Sequence, residues 1–496
     1  MSKPEWRVIY NQDCTNLFAF IREPLTAEHV DRMVDEVVDS GVDLMLINPN
    51  AQRVSYPSRV WPAFWDGFVP GDRTFFKGIP EDQVEGRMHW ISQTRHLAKS
   101  GCDYLARSLE RCRRRGIAPG ISIRMNDMHD VPWPGSHLFS PFYKAHPEWR
   151  LKNSPASHWG GTGLDFVHAP VREHYLALIR EWCRDYSFDV LELDFLRFQC
   201  YFPDGQGRQH APILTEFLRE VRRALAATGR HIALIPRVAT TPDSAWDLGM
   251  DVATWAREGL IDGLTFGAFF TMAWNRPIDA FRETVGPDVA LYPSSEAFVD
   301  SRHGMPRRNL PTDPAWIRGF AAASLAGGAD GIYLFNFFVP RDMKLAEPVC
   351  FDVLTSVRSI SSLRGLSKKY TLSTTVSVTA TDGPMQLPVD LQNQQERSFN
   401  MALAAEPSGV TATVHLFVQG PSERVAGGMM ITVNQVLLDA PREGVAHPVG
   451  TDGKVVCLEL VYPLDVEIVR DGWNRFDVRN EGAGVTVIGL DVEVLE

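Results

Sequence analysis

The chain has 496 residues, is 44% hydrophobic and 22% charged, and carries a formal net charge of -11. That length suits two domains with full cores, and the composition excludes long disordered stretches. The acidic balance excludes nucleic acid or an anionic membrane as the main partner, since either requires a basic footprint.

Short apolar runs alternate with longer amphipathic ones from the N-terminus onward. The strand candidates, in order, are "RVIYNQD", "VDLMLINPN", "IAPGISIRMND", "FDVLELDF", "RHIALIPRV", "IDGLTFGAFF", "DVALYPSSEAF" and "DGIYLFNFF". Between them lie helical patterns such as "TAEHVDRMVDEVVDSG", "LAKSGCDYLARSLERCRRRG", "APVREHYLALIREWCRDY", "APILTEFLREVRRALAATG", "DVATWAREG" and "DPAWIRGFAAASLAGG". Several open on Pro, Asp or Thr and close on Gly, as helix start and stop signals require. The basic cluster "RCRRRG" ends one of these patterns, where it suits the helix dipole.

Strands apolar on both faces, alternating with helices, predict a parallel sheet covered by helices. Eight such units over residues 1–365 predict a closed (β/α)8 TIM barrel. An open doubly wound sheet would announce a Gly-rich phosphate turn after its first strand, and "IYNQDCTN" has none. From residue 366 to 496 the texture changes to alternating strands with Gly, Pro, Asp and Asn turns, for example "TATVHLFVQG" and "VTVIGLDVEVLE". This predicts an antiparallel β-sandwich of jelly-roll type as an accessory domain. Binding sugar, forming a homo-oligomer and bracing the barrel are the open roles for it.

The seven cysteines show no CxxC or Cys/His spacing, which reads as reduced thiols. No metal and no cofactor is expected. The N-terminus has no apolar h-region and no run reaches the ~18 apolar residues of a membrane span. A cytoplasmic protein is the expectation, a trimmed exported chain the alternative.

Barrels of this type carry their chemistry at the C-terminal ends of the strands. There the sequence places Asn11, Gln12 and Asp13, then Asn48 and Asn50, then Arg124, Asn126, Asp127, His129 and Asp130. Further along it places Glu192, Asp194 and Arg197, then Arg237, Glu296 and Asn336. Trp133 lies in an adjoining loop. Carboxylates, amides, arginines and tryptophans are the equipment of a sugar site, and two acids on facing strands can cleave a glycosidic bond. Asp194 and Glu296 are the catalytic candidates, with Asp194 as proton donor and Glu296 as nucleophile or base; the reverse assignment stays open. Asn48, Arg124, Asn126, Asp127, His129, Trp133, Glu192, Arg197, Arg237 and Asn336 are the substrate-binding candidates. Glu192 shares a strand face with Asp194 and sits a layer deeper. A structural ion pair of Asp194 with Arg197 or Arg124 is the bland reading, and a helix-start role is the bland reading of Glu296.

The stretch "HPEWRL", followed by "LDFVHAPVREHYLALIREWCRDYSFDVLELDFLRF", resembles barrel glycoside hydrolases related to family ten. Their pattern has a "HPEW" loop, a "LD…HPxVRxY" helix lead-in and "YDVDGIxxDxxR" on the fourth strand. The resemblance spans His146 to Phe198 and puts Asp194 on the motif aspartate, Arg197 on its arginine and Arg172 on the helix-opening arginine. It implies a TIM barrel acting on a carbohydrate. "DVL" replaces the usual "DGI", and the Asn-Glu pair of retaining family-ten xylanases is absent from "LELDF", so xylan is not implied. The sandwich, with "DGWNRFDVRNEG", is similar to accessory domains of such barrels. Alternatives are a lyase or isomerase acting on an acidic sugar gripped by Arg124, Arg197 and Arg237, or a non-catalytic carbohydrate-binding barrel.

Overall fold

Eight parallel strands close on themselves in the order β1-β10-β7-β6-β5-β4-β3-β2. They are β1 (Val8–Asp13), β2 (Leu44–Asn48), β3 (Ala118–Arg124), β4 (Val190–Asp194), β5 (Ala233–Val238), β6 (Gly263–Phe266), β7 (Ala290–Ser295) and β10 (Ile332–Leu334). A two-stranded antiparallel excursion, β8 (Phe298–Val299) with β9 (Arg308–Asn309), stands between the last two. The computed structural model describes residues 3–13, 15–133, 135–152, 163–268, 276–295, 298–299, 308–309, 313–335, 337, 349–372, 386–420, 428–449 and 455–496.

The period of two divides each barrel strand between an outer face under the helices and an inner face. On β4, Leu191 and Leu193 pack outward into the large helix-covered core, whereas Val190 joins an inner cluster with Ile9, Leu44, Leu46, Ala233, Ile235, Ala290, Tyr292 and Tyr333. Gly120 on β3 makes room in this layer, because a Cβ there would fall 2.5 Å from Leu46 Cδ2. Above that apolar floor the same inner faces turn polar, with Asn11 and Asp13, Ser122 and Arg124, Glu192 and Asp194, and Arg237 and Ser294 all buried.

The pattern "LAKSGCDYLARSLERCRRRG" is two helices, Glu81–Lys99 and Tyr104–Arg114. Gly101, at φ 85°, breaks them apart in the left-handed region that glycine adopts without strain. Asp103 then restarts the helix by accepting from the Ala106 amide.

After the barrel, antiparallel strands form a six-stranded sheet (Lys368–Leu372, Val389–Leu391, Thr411–Gln419, Arg442–Val449, Val455–Leu464, Val485–Leu495) and a four-stranded one (Glu396–Leu403, Met429–Val433, Val436–Leu437, Gly472–Asn480). The TIM barrel followed by an antiparallel sandwich is the fold class expected from the sequence. Helix Pro314–Ala326 joins the two parts. Its Gly319 lies so close to the Lys369 backbone that a Cβ would meet the Lys369 carbonyl oxygen at 1.9 Å. Beside it the Lys368 ammonium and the Glu406 carboxylate form a buried pair at 2.9 Å. Among the described residues no helix is long and apolar enough to cross a membrane.

Candidate active site

Strand register assembles the site. Ser122 stands beside Glu192 and Arg124 beside Asp194 on the β3–β4 ladder, and on the β4–β5 ladder Asp194 stands beside Arg237. Neighbouring positions on parallel strands point the same way, so these side chains converge inside the barrel mouth.

Asp194, 1% exposed, has its carboxylate filled with N–H donors. The Leu196 and Arg197 amides donate to Oδ1, each at 3.1 Å, and Arg237 Nη1 lies 3.3 Å from both oxygens. Its ionic partner is therefore Arg237, not the side chain of Arg197 or Arg124; the strand alone did not reveal this because register, not sequence spacing, supplies the neighbour. Arg237 is wholly buried, with its guanidinium carbon 3.9 Å from the centre of the Phe335 ring. That stacking covers one face of the cation while its edge serves Asp194.

Glu192 sits one layer down with no exposure. Its Oε1 accepts from Ser122 Oγ at 2.6 Å, Tyr333 OH at 2.9 Å and Asn11 Nδ2 at 3.3 Å, while Oε2 has no hydrogen-bond partner among the described residues. Burial, reinforced by the negative charge of Asp194, pushes the Glu192 carboxyl up to about 8. Ser122 and Tyr333 were not singled out from the sequence, and Asn11 only as a strand-end residue with no assigned role, although each occupies an inward position of its strand.

A second cluster flanks the first. Asp13 accepts from Arg124 Nη2, from the Thr15 amide at 3.0 Å and from Thr15 Oγ1 at 2.8 Å. Burial alone would raise its pKa, but the charges of Arg124 and Arg197, with the Thr15 bonds, hold it well below the usual carboxylate range. Asp127 accepts from the His129 amide and from His129 Nδ1, at 2.9 and 2.8 Å. His129 Nε2 lies 3.2 Å from Arg197 Nη2. That chain places the ring proton on Nδ1 and lets Nε2 accept from the guanidinium. Burial pulls Arg197 down to about 10, aided by the like charge of Arg124.

These residues open onto a cavity of about 510 Å³. Asp13, Arg124, His129 and Arg197 form its barrel end; Phe20, Phe64, Arg87 and Trp90 stand in the remaining wall. Among the described residues Asp194 does not line this space, but Arg124, its register neighbour, and Arg197, whose amide it holds, both do.

The other sequence candidates divide. Asn48 Nδ2 donates to the Ser122 carbonyl at 2.9 Å and so braces β3 from β2. Asn126 spends both ends of its amide on backbone, accepting from the Leu164 amide and donating to the Leu164 and Cys200 carbonyls. Trp133 packs with the Phe68 and Phe76 cluster, 5.2 Å from the Arg87 guanidinium carbon, and is not among the described cavity-lining residues. Glu296 and Asn336 lie outside the described residues. Among the described residues no group of three or more His, Cys, Asp or Glu side chains could hold a metal ion.

No family model matches the chain, and no curated protein matches it. Among solved structures it aligns with a cycloisomaltooligosaccharide glucanotransferase from Paenibacillus sp., complexed with cycloisomaltoheptaose, at 9% identity and TM-score 0.36, over 98% of this chain and 57% of that one. It aligns with α-L-fucosidase isoenzyme 2 from Paenibacillus thiaminolyticus at 12% identity and TM-score 0.42, over 73% and 49%. The glycoside hydrolase domain of PgaB from Bordetella bronchiseptica aligns at 12% identity and TM-score 0.44, over 72% of this chain and 99% of that domain. The chain thus spans only about half the length of the first two.

Proposed function

We propose that the protein is a glycoside hydrolase, of the family-ten-related type that the "HPEW" and fourth-strand motifs resemble, with Asp194 as one of its two catalytic carboxylates. The observation that carries this reading is the pair of acids on one face of β4: Asp194 among N–H donors and Glu192 beneath it in a setting that favours its protonated form. Glycosidic cleavage needs a carboxylate held at the bond as nucleophile or base, and a neutral Glu192 beneath Asp194 spares it a second negative charge.

The donors around Asp194 favour the assignment left open by the sequence. Its oxygens already accept N–H bonds, which suits a nucleophile or base, whereas a proton donor must present an O–H to the leaving oxygen. The second carboxylate in this reading is Glu296, the residue that follows β7 directly in the sequence, acting as proton donor. Glu192 serves as a neutral hydrogen-bonded support that keeps a second negative charge away from Asp194. The part 366–496 is proposed as an accessory domain to a catalytic 1–365 barrel, the pair being braced at helix Pro314–Ala326.

The test is turnover of an aryl glycoside panel, both anomers, by the wild type, Asp194→Asn and Glu296→Gln. The reading expects each substitution to lower kcat by about 10³-fold. Undiminished turnover by both variants would end it. A lyase or isomerase acting on an acidic sugar is the second reading, favoured by Arg124 and Arg197 on the cavity wall; ultraviolet absorbance from a new double bond in the product would select it.

A further inference from the structure

The cavity beside β1 and β3 has two chemically different ends. At the barrel end the cations face anions of the protein's own. Arg124 pairs with Asp13 and lies 3.7 Å from Asp127, and the charges of Asp13, Asp127 and Asp194 all act on Arg197. Polar groups matched in this way can exchange hydrogen bonds with sugar hydroxyls and do not call for a charged ligand. The other end is aromatic, lined by Phe20, Phe64 and Trp90 with Ala19, Ala51 and Leu138. Phe64 and Trp90 meet edge to face at 6.1 Å, and the buried His137 packs against both, at 5.6 and 5.1 Å. Burial lowers His137 to about 3, so it adds no charge there.

Helix Glu81–Lys99, between β2 and β3, gives Gln83, Gly86, Arg87 and Trp90 to the lining. Their spacing of three and four residues puts them on one helix face. Arg87 is committed to Asp130 and stands 5.2 Å from the centre of the Trp133 ring. Gly86 is the informative member. It lies inside the helix, where glycine is less favourable than alanine. Its φ is not left-handed, and among the described residues a Cβ there would meet no packed neighbour within 4 Å. Neither backbone conformation nor close packing therefore calls for glycine at this position. Helical side chains lean toward the N-terminus, so the Trp90 indole leans toward the turn that holds Gly86. A long side chain at 86 would enter the space beside that ring; glycine keeps it open.

We propose that the Gly86–Trp90 face seats the substrate's aglycone, an aromatic or flat apolar ring joined to a neutral sugar. The ring lies against Phe20, Phe64 and Trp90, and the sugar lies toward Asp13, Arg124 and Arg197. At about 510 Å³ the cavity falls within the range of small-molecule sites and has room for a sugar ring with an aromatic ring attached. The inference rests on the reading of this cavity as the substrate site of a glycoside hydrolase, and it names the class of group that leaves.

Calorimetric titration of the full chain tests it, with neutral p-nitrophenyl and methyl glycosides paired by sugar and anomer. For at least one sugar the p-nitrophenyl member is expected to bind about tenfold tighter than its methyl partner. Gly86→Leu fills the open space with a good helix former, and Trp90→Leu removes the indole. Each is expected to cut that advantage to about threefold or less. Should one variant fail to fold by circular dichroism, the other and the wild-type comparison still decide. Equal binding of the paired ligands for every sugar, no binding of any p-nitrophenyl glycoside at millimolar concentration, or an advantage that survives either substitution in a folded variant would overturn the proposal. A p-nitrophenyl uronide that binds about tenfold tighter than its neutral counterpart would overturn the neutral-sugar part. An aryl advantage lost in both variants, with no turnover of any glycoside, would sink the hydrolase reading alone; turnover with equal binding of the paired ligands would sink the aglycone inference alone.

Discussion

Asp13 and Glu192 are both buried acids on inner faces of one barrel, yet their surroundings push them in opposite directions. Asp13 stands on β1 against Arg124, within the field of Arg197. Glu192 stands on β4 against hydroxyl and amide donors, with Asp194 as the charge that acts on it most strongly. Burial raises both, and only for Asp13 do nearby cations outweigh it. Depth therefore does not decide which acid carries charge in this barrel; the charge of the next side chain does. The consequence is a division of labour across the mouth, with an ionic wall on the β1–β3 side and a proton-holding floor under Asp194 on β4.

The largest effect that would break this comparison is catalytic. Asp194→Asn removes the carboxylate, so kcat is expected to fall about 10³-fold or more; it also takes the anion from the buried Arg237, so a stability loss of about 3 kcal/mol accompanies it. Next is Asp13→Asn, which leaves the Arg124 cation without its closest anion in a buried setting. A loss of about 3 kcal/mol is expected at neutral pH by denaturant unfolding. Because the folded pKa of Asp13 is depressed, its contribution is complete above its ordinary value near 4. It fades as pH falls toward the folded value, so the gap between wild type and Asp13→Asn narrows in acid.

Glu192→Gln sharpens the opposite case. Between its ordinary value of about 4.3 and its folded value, the unfolded chain releases a proton that the folded protein keeps. Wild-type stability should therefore fall as pH rises through that window, by at most about 1.4 kcal/mol per pH unit. The Gln variant, which keeps an acceptor and a fixed donor, should lack that slope; equal slopes in the two proteins would show that Glu192 is ionised throughout. The smallest effect expected is that of Trp133→Leu. The ring packs on Arg87 and the Phe68 cluster, so ligand affinity should change by less than about twofold and stability by about 1 kcal/mol. A large affinity loss would return Trp133 to the role of a stacking platform.

The barrel was legible because "LMLI", "IALI" and their counterparts are apolar on both faces and are spaced by amphipathic helices, a pattern that few folds share. The split at Gly101 was less legible, since a single glycine inside a continuous amphipathic pattern reads equally as a tolerated residue. At the site, Asp194 and Arg197 stood out as charges in an apolar run. Arg237 stood out only as a substrate contact, and Ser122 and Tyr333, the partners of Glu192, did not stand out, because all three reach β4 only through barrel register and closure. Asp13 was visible at the end of β1 but carried no signal separating it from Asn11 and Gln12; only the arrival of Arg124 from β3 gives it a distinct role. The carboxamides of Asn48 and Asn126 looked like sugar contacts by residue type, and their visible work is to brace the β3 backbone and the loop that follows it.

The most direct test of the account is a crystal of the Asp194→Asn variant soaked with a glycoside that the wild type cleaves. The account predicts an intact ligand whose scissile bond lies within hydrogen-bonding reach of the residue-194 side chain and whose body extends past Arg124 and Arg197. An intact ligand seated elsewhere, with position 194 still buried against Arg237, would contradict it.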